Sequence, residues 1–374
     1  MGSGIAQVAA TAGHTVVLMD SNADQLGKAK KNLRATFDKL AEKGKITKEN
    51  ADGIFSRISF AENNAAFAKC GLIIEAIVEN PEIKQKVFSA LEEIVSADCV
   101  LASNTSSLSI TSIASACKNA SRVIGIHFFN PAPLMPLVEI IPGITTQPNI
   151  IHDCKNLIDG WGKTTVVAKD SPGFIVNRVA RSFYGESIRI YEEGIADFAT
   201  IDWAMKHSGG FKMGPFELMD FIGNDVNYKV TETVWEQFFY EPRFKPSLTQ
   251  KRLFEAKLFG RKTGKGYYDY SEGAQIPKPI EDIGLASQIF FRVLVMLINE
   301  AADSLYLGLA SREDIDTAMT KGVNYPKGLL KWADELGAEP VCQKLQELYE
   351  TYGEDRYRPC ILLKQMAKTG KTFY

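Results

Sequence analysis

Paired cysteines, clustered histidines, an excess of one charge and a secretory leader are all missing from this chain. Its six cysteines (Cys70, Cys99, Cys117, Cys154, Cys342 and Cys360) are scattered, with no CxxC pair. That argues against a disulfide framework and for reduced, mostly buried thiols in a cytoplasmic protein. Four histidines, without HxxxH spacing or a cysteine cluster beside them, give no ligand set for a metal. A net charge of −2 offers nothing to nucleic acid as a partner. No stretch reads as long and apolar enough to span a membrane. The N-terminus lacks the basic, apolar, small-residue order of a secretory signal. What is present is the composition of an ordinary globular protein, and 374 residues is enough for two or three domains.

One stretch organises the rest. Residues 101–141 read LASNTSSLSITSIASACKNASRVIGIHFFNPAPLMPLVEII. A first strand-like run closes on Asn104, Thr105 and Ser106. A second, Arg122 to Ile126, closes on His127. After the turn Asn130-Pro131-Ala132-Pro133, a third apolar run carries Glu139. A hydroxyl, an imidazole and a carboxylate thus lie near strand ends on one short piece of chain. Ligands of open α/β sheets sit beyond the carboxyl ends of the strands, so the stretch reads as an acid–base site.

In chain order, residues 1 to 13 read as a helix with Ile5, Val8, Ala9 and Ala12 on one face, and Gly2 and Gly4 at its start. A strand from His14 to Met19 closes on Asp20. Asn22 suits the cap of the next helix, and Pro81 the first turn of another. Leu72 to Val78 and Cys99 to Ser103 are apolar runs fit for strands buried on both faces. The alternation predicts a parallel, doubly wound sheet. Its opening is incomplete. Such a domain begins with a strand and a Gly-rich turn, whereas here the helix comes first, with Gly2 standing where the third glycine of GxGxxG would be. A Gly-rich helix start is also ordinary packing.

From Ser171-Pro172-Gly173 the chain turns helical, beginning with a helix over 174–192 that presents Asn177. EEGIADFATIDWAMKHSGGFKMGPFELMDFIG (192–223) recurs as YLGLASREDIDTAMTKGVNYPKGLLKWADELG (306–337). The matches include Gly194 with Gly308, Asp202 with Asp316, Gly214 with Gly328 and Asp220 with Asp334. They carry back to Arg178 with Arg292 and Glu186 with Glu300. Two copies of one helical unit therefore follow the sheet domain. The predicted domains are 1–170, 171–270 and 284–374, with a Pro-containing linker at 271–283.

NTSSL, HFFNPAP, LVEII, SPGFIVNR, MGPFELMDFIG and KTGKGYYDY resemble the 3-hydroxyacyl-CoA dehydrogenases, in order and over nearly the whole chain. The duplicated unit ending in YGEDRYRPC resembles the bacterial 3-hydroxybutyryl-CoA and 3-hydroxyadipyl-CoA type, which serve fatty-acid or phenylacetate breakdown. The resemblance implies a Rossmann-type α/β domain, here without its first strand, followed by two all-α domains. It implies NAD-dependent oxidation of a 3-hydroxyacyl-CoA to the 3-ketoacyl-CoA, with an acyl-CoA as the partner bound.

His127 is the expected general base, because hydride loss from a secondary alcohol requires a proton acceptor near neutrality. Glu139 would fix its tautomer. Ser106 would hydrogen-bond the reacting oxygen, and Asn177 would donate to the substrate carbonyl; both residue types also suit plain helix capping. The resemblance carries NAD contacts onto Gly2, Asp20, Glu79, Lys84, Ser106, Asn130 and Lys262, and CoA contacts onto Thr36 and Lys43. The carboxylate of Asp20 favours NAD over NADP. Phe291 replaces Asn177 in copy two, which marks that copy as structural. Single-copy relatives dimerise through the helical domain, so either a homodimer or an intrachain pseudo-dimer is expected. The competing expectation is a catalytically silent acyl-CoA-binding or scaffold protein, given the incomplete glycine loop.

Overall fold

Ile5, Val8 and Ala9 are buried in the first helix, α1 (Gly2–Thr11), as expected, but so are Ala6 and Ala10, the latter against Leu33 and Phe37, while Ala12, expected on the buried face, is exposed. Ile5 and Val8 pack against Ala102, Ile124, Ile126, Val138 and Ile140 of a sheet. In the computed structural model, which describes residues 1–374, this helix belongs to a first unit, Met1–Asp170. Its strands are β1 (Val16–Met19), β2 (Ile58–Ala61), β3 (Leu72–Glu75), β4 (Val100–Ser103), β5 (Val123–Phe128), β6 (Leu137–Pro142) and β7 (Thr164–Val167). Its other helices are α2 (Ala23–Glu42), α3 (Lys48–Ser56), α4 (Pro81–Glu92), α5 (Ile110–Ala114) and α6 (Pro148–Gly160). Asn22 caps α2 by accepting from the amides of Asp24 and Gln25, and Asn80 caps α4 ahead of Pro81.

Two expectations about the sheet are corrected. There is not one sheet but two: β1 pairs only with β2, and the other five strands run in the order β3-β4-β5-β6-β7. Nor is the second sheet all parallel. β6 runs antiparallel to β5, while β3–β4, β4–β5 and β6–β7 are parallel. The reversal has a simple cause. Eight residues separate β5 from β6, too few for the crossover a parallel partner would need and enough for a hairpin.

The second unit, Ser171–Tyr374, is wholly helical. Copy one supplies α7 (Val176–Val179), α8 (Arg181–Glu192), α9 (Phe198–Gly209), α10 (Pro215–Ile222), α11 (Asn224–Gln237) and α12 (Leu248–Glu255). Copy two supplies α13 (Ile283–Tyr306), α14 (Arg312–Gly322), α15 (Leu329–Leu336), α16 (Ala338–Tyr352) and α17 (Ile361–Thr369). The single helix expected over 174–192 is broken at Ala180 into α7 and α8, whereas its counterpart α13 runs unbroken. α13 also overturns the expectation that no stretch is membrane-length, since its 24 residues pass by length and composition. Here it is the central helix of this unit, packed on α8, α9, α15, α16 and α17. Both copies lie within this one compact unit.

Repeated residues do repeated work. The Asp202 carboxylate accepts from the Phe216 and Glu217 amides at 2.8 and 2.9 Å, and that of Asp316 from Leu330 and Lys331 at 2.8 and 3.1 Å. A Cβ at Gly214 or Gly328 would collide with these same aspartates, so only glycine fits. Asp220 accepts from the Tyr267 and Tyr268 amides, and Asp334 from those of Phe373 and Tyr374. The repeat therefore extends to KTGKGYY (262–268) against KTGKTFY (368–374), a pairing present in the sequence but outside the stretch matched above.

The copies clasp each other reciprocally. Arg178 Nε donates to Glu300 at 2.5 Å, and Arg292 Nε to Glu186 at 2.5 Å, all four side chains being buried. Residue i of one copy thus meets residue j of the other, and j meets i, as across a two-fold interface. Asp303 and Arg243 extend the first pair; Glu193, Tyr352 and Tyr357 extend the second. Removing one partner leaves a buried charge uncompensated, which typically costs about 3–5 kcal/mol. Arg178→Leu and Arg292→Leu should each lower stability in urea unfolding by about that much. Lys344→Ala, which breaks the more exposed pair with Glu347, should cost under about 1 kcal/mol.

Candidate active site

The antiparallel register of β5 and β6 sets His127 directly opposite Glu139. Side chains opposite each other on one face of such a pair lie within contact distance. His127 Nδ1 stands 2.7 Å from Glu139 Oε2, with both residues buried. A carboxylate only accepts, so Nδ1 carries the hydrogen and Nε2 is the basic nitrogen. The ring of Phe129 packs 4.5 Å from the imidazole.

Three parallel strands bring the other polar groups to the same edge. Phe128 N donates to Asn104 Oδ1 at 2.8 Å, tying the end of β5 to the end of β4. Asn104 N donates to Glu75 O at 2.7 Å, tying β4 to β3. Ser106 is held by Glu79: its amide and hydroxyl donate to Glu79 Oε1 at 2.8 and 3.2 Å, and Thr105 Oγ1 donates there at 3.1 Å. The amino end of α1 comes to this edge as well, because Gly4 packs tightly against Ala132 and Pro133 in the loop after β5.

Lys84 is among the expected cofactor contacts. Its ammonium is buried and bonds Glu75 Oε1 at 2.7 Å and Glu79 Oε2 at 3.4 Å. Glu75, absent from the expected set, is the hub. It accepts from Lys84, from the Ile77 amide at 2.6 Å and from Ser103 Oγ at 2.7 Å. A carboxylate inside the apolar run LIIEAIV was its signal, the same reasoning that singled out Glu139.

The remaining candidates fall in several places. Gly2 opens α1, and Asp20 is exposed just after β1, accepting from the Asn22 amide at 2.9 Å. Asn130 is exposed in the loop after β5. Thr36 and Lys43 are exposed, seven residues apart on and at the end of α2, and so share a face. Asn177 and Lys262 lie in the second unit. Asn177 is half-buried on α7, its carbonyl accepting from Arg181 Nε at 2.8 Å, and Lys262 is paired with Asp225. A helix amino end, an exposed carboxylate past a strand and a hydroxyl-lined sheet edge form a donor set that fits a dinucleotide.

Comparison with known proteins agrees with this geometry. Residues 1–171 match the family model described as 3-hydroxyacyl-CoA dehydrogenase, NAD binding domain. Residues 173–270 and again 289–373 match 3-hydroxyacyl-CoA dehydrogenase, C-terminal domain, so one model recognises both copies. A 3-hydroxyadipyl-CoA dehydrogenase of Escherichia coli K12 is 36% identical over 98% of this chain and 95% of its own length. The hydroxyacyl-coenzyme A dehydrogenase of Sus scrofa mitochondria is 41% identical over 72% of this chain and 88% of its own. A solved Escherichia coli 3-hydroxybutyryl-CoA dehydrogenase superposes with a TM-score of 0.94 at 36% identity, covering 99% of this chain and 96% of that one.

Lys84→Met would leave Glu75 charged and buried without its cation. It should destabilise the first unit by about 3–5 kcal/mol, read by chemical unfolding, and should loosen Ser106 through Glu79. Hydrogen exchange at the Ser106 amide should rise.

Proposed function

We propose, for a chain that belongs to the 3-hydroxyacyl-CoA dehydrogenase family, NAD-dependent oxidation of (S)-3-hydroxyacyl-CoA to 3-ketoacyl-CoA on substrates of the 3-hydroxybutyryl-CoA or 3-hydroxyadipyl-CoA kind. The observation that carries this reading is the buried His127–Glu139 pair at 2.7 Å. His127 Nε2 takes the hydroxyl proton as the carbinol carbon gives up its hydride. Glu139 holds the ring in the tautomer that makes this possible and stabilises the imidazolium. Ser106 hydrogen-bonds the reacting oxygen, and Asn177 donates to the carbonyl oxygen of the thioester. When bound, NAD accepts the hydride; Gly2, Asp20, Glu79, Lys84, Ser106, Asn130 and Lys262 would hold it. Thr36 and Lys43 meet the CoA moiety.

Copy two makes no catalytic contribution in this scheme. It serves as the partner that copy one embraces, an intrachain pseudo-dimer supported by the reciprocal arginine–glutamate clasp. A cytoplasmic setting suits six unpaired thiols, three of them buried. The silent-scaffold reading is not favoured: relatives aligned over nearly their full length carry dehydrogenase names.

NADH oxidation with acetoacetyl-CoA is the test. The wild-type chain should turn over, and His127→Gln should lower kcat by ~100- to 10,000-fold, the usual contribution of a positioned general base. Wild-type turnover no better than that of the variant would end the proposal.

A further inference from the structure

The pseudo-two-fold of the second unit supplies an internal control. Positions that hold the fold, such as Asp202 and Asp316 or Gly214 and Gly328, carry the same residue in both copies, whereas one connected cluster is polar in copy one and apolar in copy two. Arg181 Nε donates to Asn177 O at 2.8 Å and Nη1 to Thr231 Oγ1 at 3.1 Å. Thr231 Oγ1 donates in turn to Asn227 O at 2.8 Å, and Gln250 Nε2 to Asn227 Oδ1 at 2.8 Å. At the matching positions copy two has Phe291 for Asn177, Val295 for Arg181, Leu345 for Thr231, Val341 for Asn227 and Leu363 for Gln250. Val295, Leu345, Val341 and Leu363 are each fully buried. The fold plainly packs well without polar groups there.

The polar version carries a cost that the apolar one avoids. Arg181 is only 7% exposed. The other buried arginines of this unit, Arg178, Arg292 and Arg356, each meet a carboxylate. Arg181 has none: its charged and titratable neighbours are Tyr184, whose ring lies 4.9 Å from the guanidinium, and Tyr325. Burial accordingly pulls its pKa below the usual arginine value. Tyr325 enters from copy two, is buried, and its hydroxyl has no hydrogen-bond partner. Its own counterpart in copy one is Phe211, and that of Tyr184 is Ile298. A buried cation, an orphaned phenol and no acid form a site rich in donors and short of one anion.

We propose that this cluster seats a carboxylate at the far end of the acyl chain, so that the chain acts on 3-hydroxyacyl-CoA thioesters of dicarboxylic acids. The inference rests on the dehydrogenase reading above and names its substrate class. Arg181 follows Asn177 by one helical turn, which sets their Cβ atoms about 5–6 Å apart. A six-carbon diacid spans a comparable distance between its thioester carbonyl carbon and its distal carboxyl carbon. An acyl chain whose carbonyl meets Asn177 would thus bring that carboxylate to the guanidinium. Arg181 offers a two-pronged match to a carboxylate, and Tyr325 a further hydrogen bond.

The test is calorimetric binding to the full-length chain of two thioesters alike in length, adipyl-CoA and hexanoyl-CoA. Adipyl-CoA should bind about 10- to 100-fold more tightly, as one charge-assisted buried hydrogen-bond set provides. Arg181→Met should bring that ratio towards one, and Tyr325→Phe, which keeps the ring and its packing, should reduce it severalfold. Equal binding of both thioesters by the wild-type chain, or a ratio unmoved in both variants, overturns the carboxylate seat and leaves the dehydrogenase reading standing. Failure of both thioesters to bind overturns the seat together with the reading beneath it.

Discussion

A charge taken out of water is costly unless it is paired, and four buried ion pairs set the geometry of this protein. In the first unit Lys84 answers Glu75 and His127 faces Glu139. In the second, Arg178 answers Glu300 and Arg292 answers Glu186. Each pair is weak evidence for stability by itself, since a hydrophobic replacement can do as well. What each fixes is geometry. Glu75 can satisfy Lys84, Ser103 and the Ile77 amide together only if the ends of β3 and β4 stay in one register, and that register delivers Ser106 and Glu79 to the same edge. His127 and Glu139 meet because β6 turns back along β5, and no other pairing of these strands would set them side by side.

Much of this was legible in the residues. Helical spacing, the Asn22 and Asn80 caps, the strand runs and the repeat all follow from periodicity and local hydrogen-bonding chemistry. The sheet reversal could also have been read, because the connection from His127 to Glu139 is too short for a crossover. Other features depend on packing that spacing does not encode. VNRVARSF contains neither proline nor glycine, so nothing local marks the break at Ala180. Lys84 looks like one more lysine on an amphipathic helix until its position against Glu75 and Glu79 is seen. The membrane-length apolar stretch of α13 is understandable only as a helix surrounded by its own neighbours.

The duplicated helical unit separates what the fold needs from what it can do without. Where both copies agree, as at Gly214 and Gly328 or Asp202 and Asp316, a backbone approach or a pair of orphan amides explains the residue. Where they disagree around Asn177, the copy that lost the amide also lost every polar side chain leading away from it.

The clasp between the copies has a further consequence because one polypeptide makes both halves. Two separate subunits joined by such a surface would part on dilution, and the surface would then expose its arginines and glutamates to solvent. Covalent tethering replaces that bimolecular equilibrium with a fixed effective concentration, in the millimolar range or above for a short connection. The shape that copy one adopts in the embrace therefore does not depend on how many copies of the protein a compartment contains. A scarce enzyme keeps the same architecture as an abundant one.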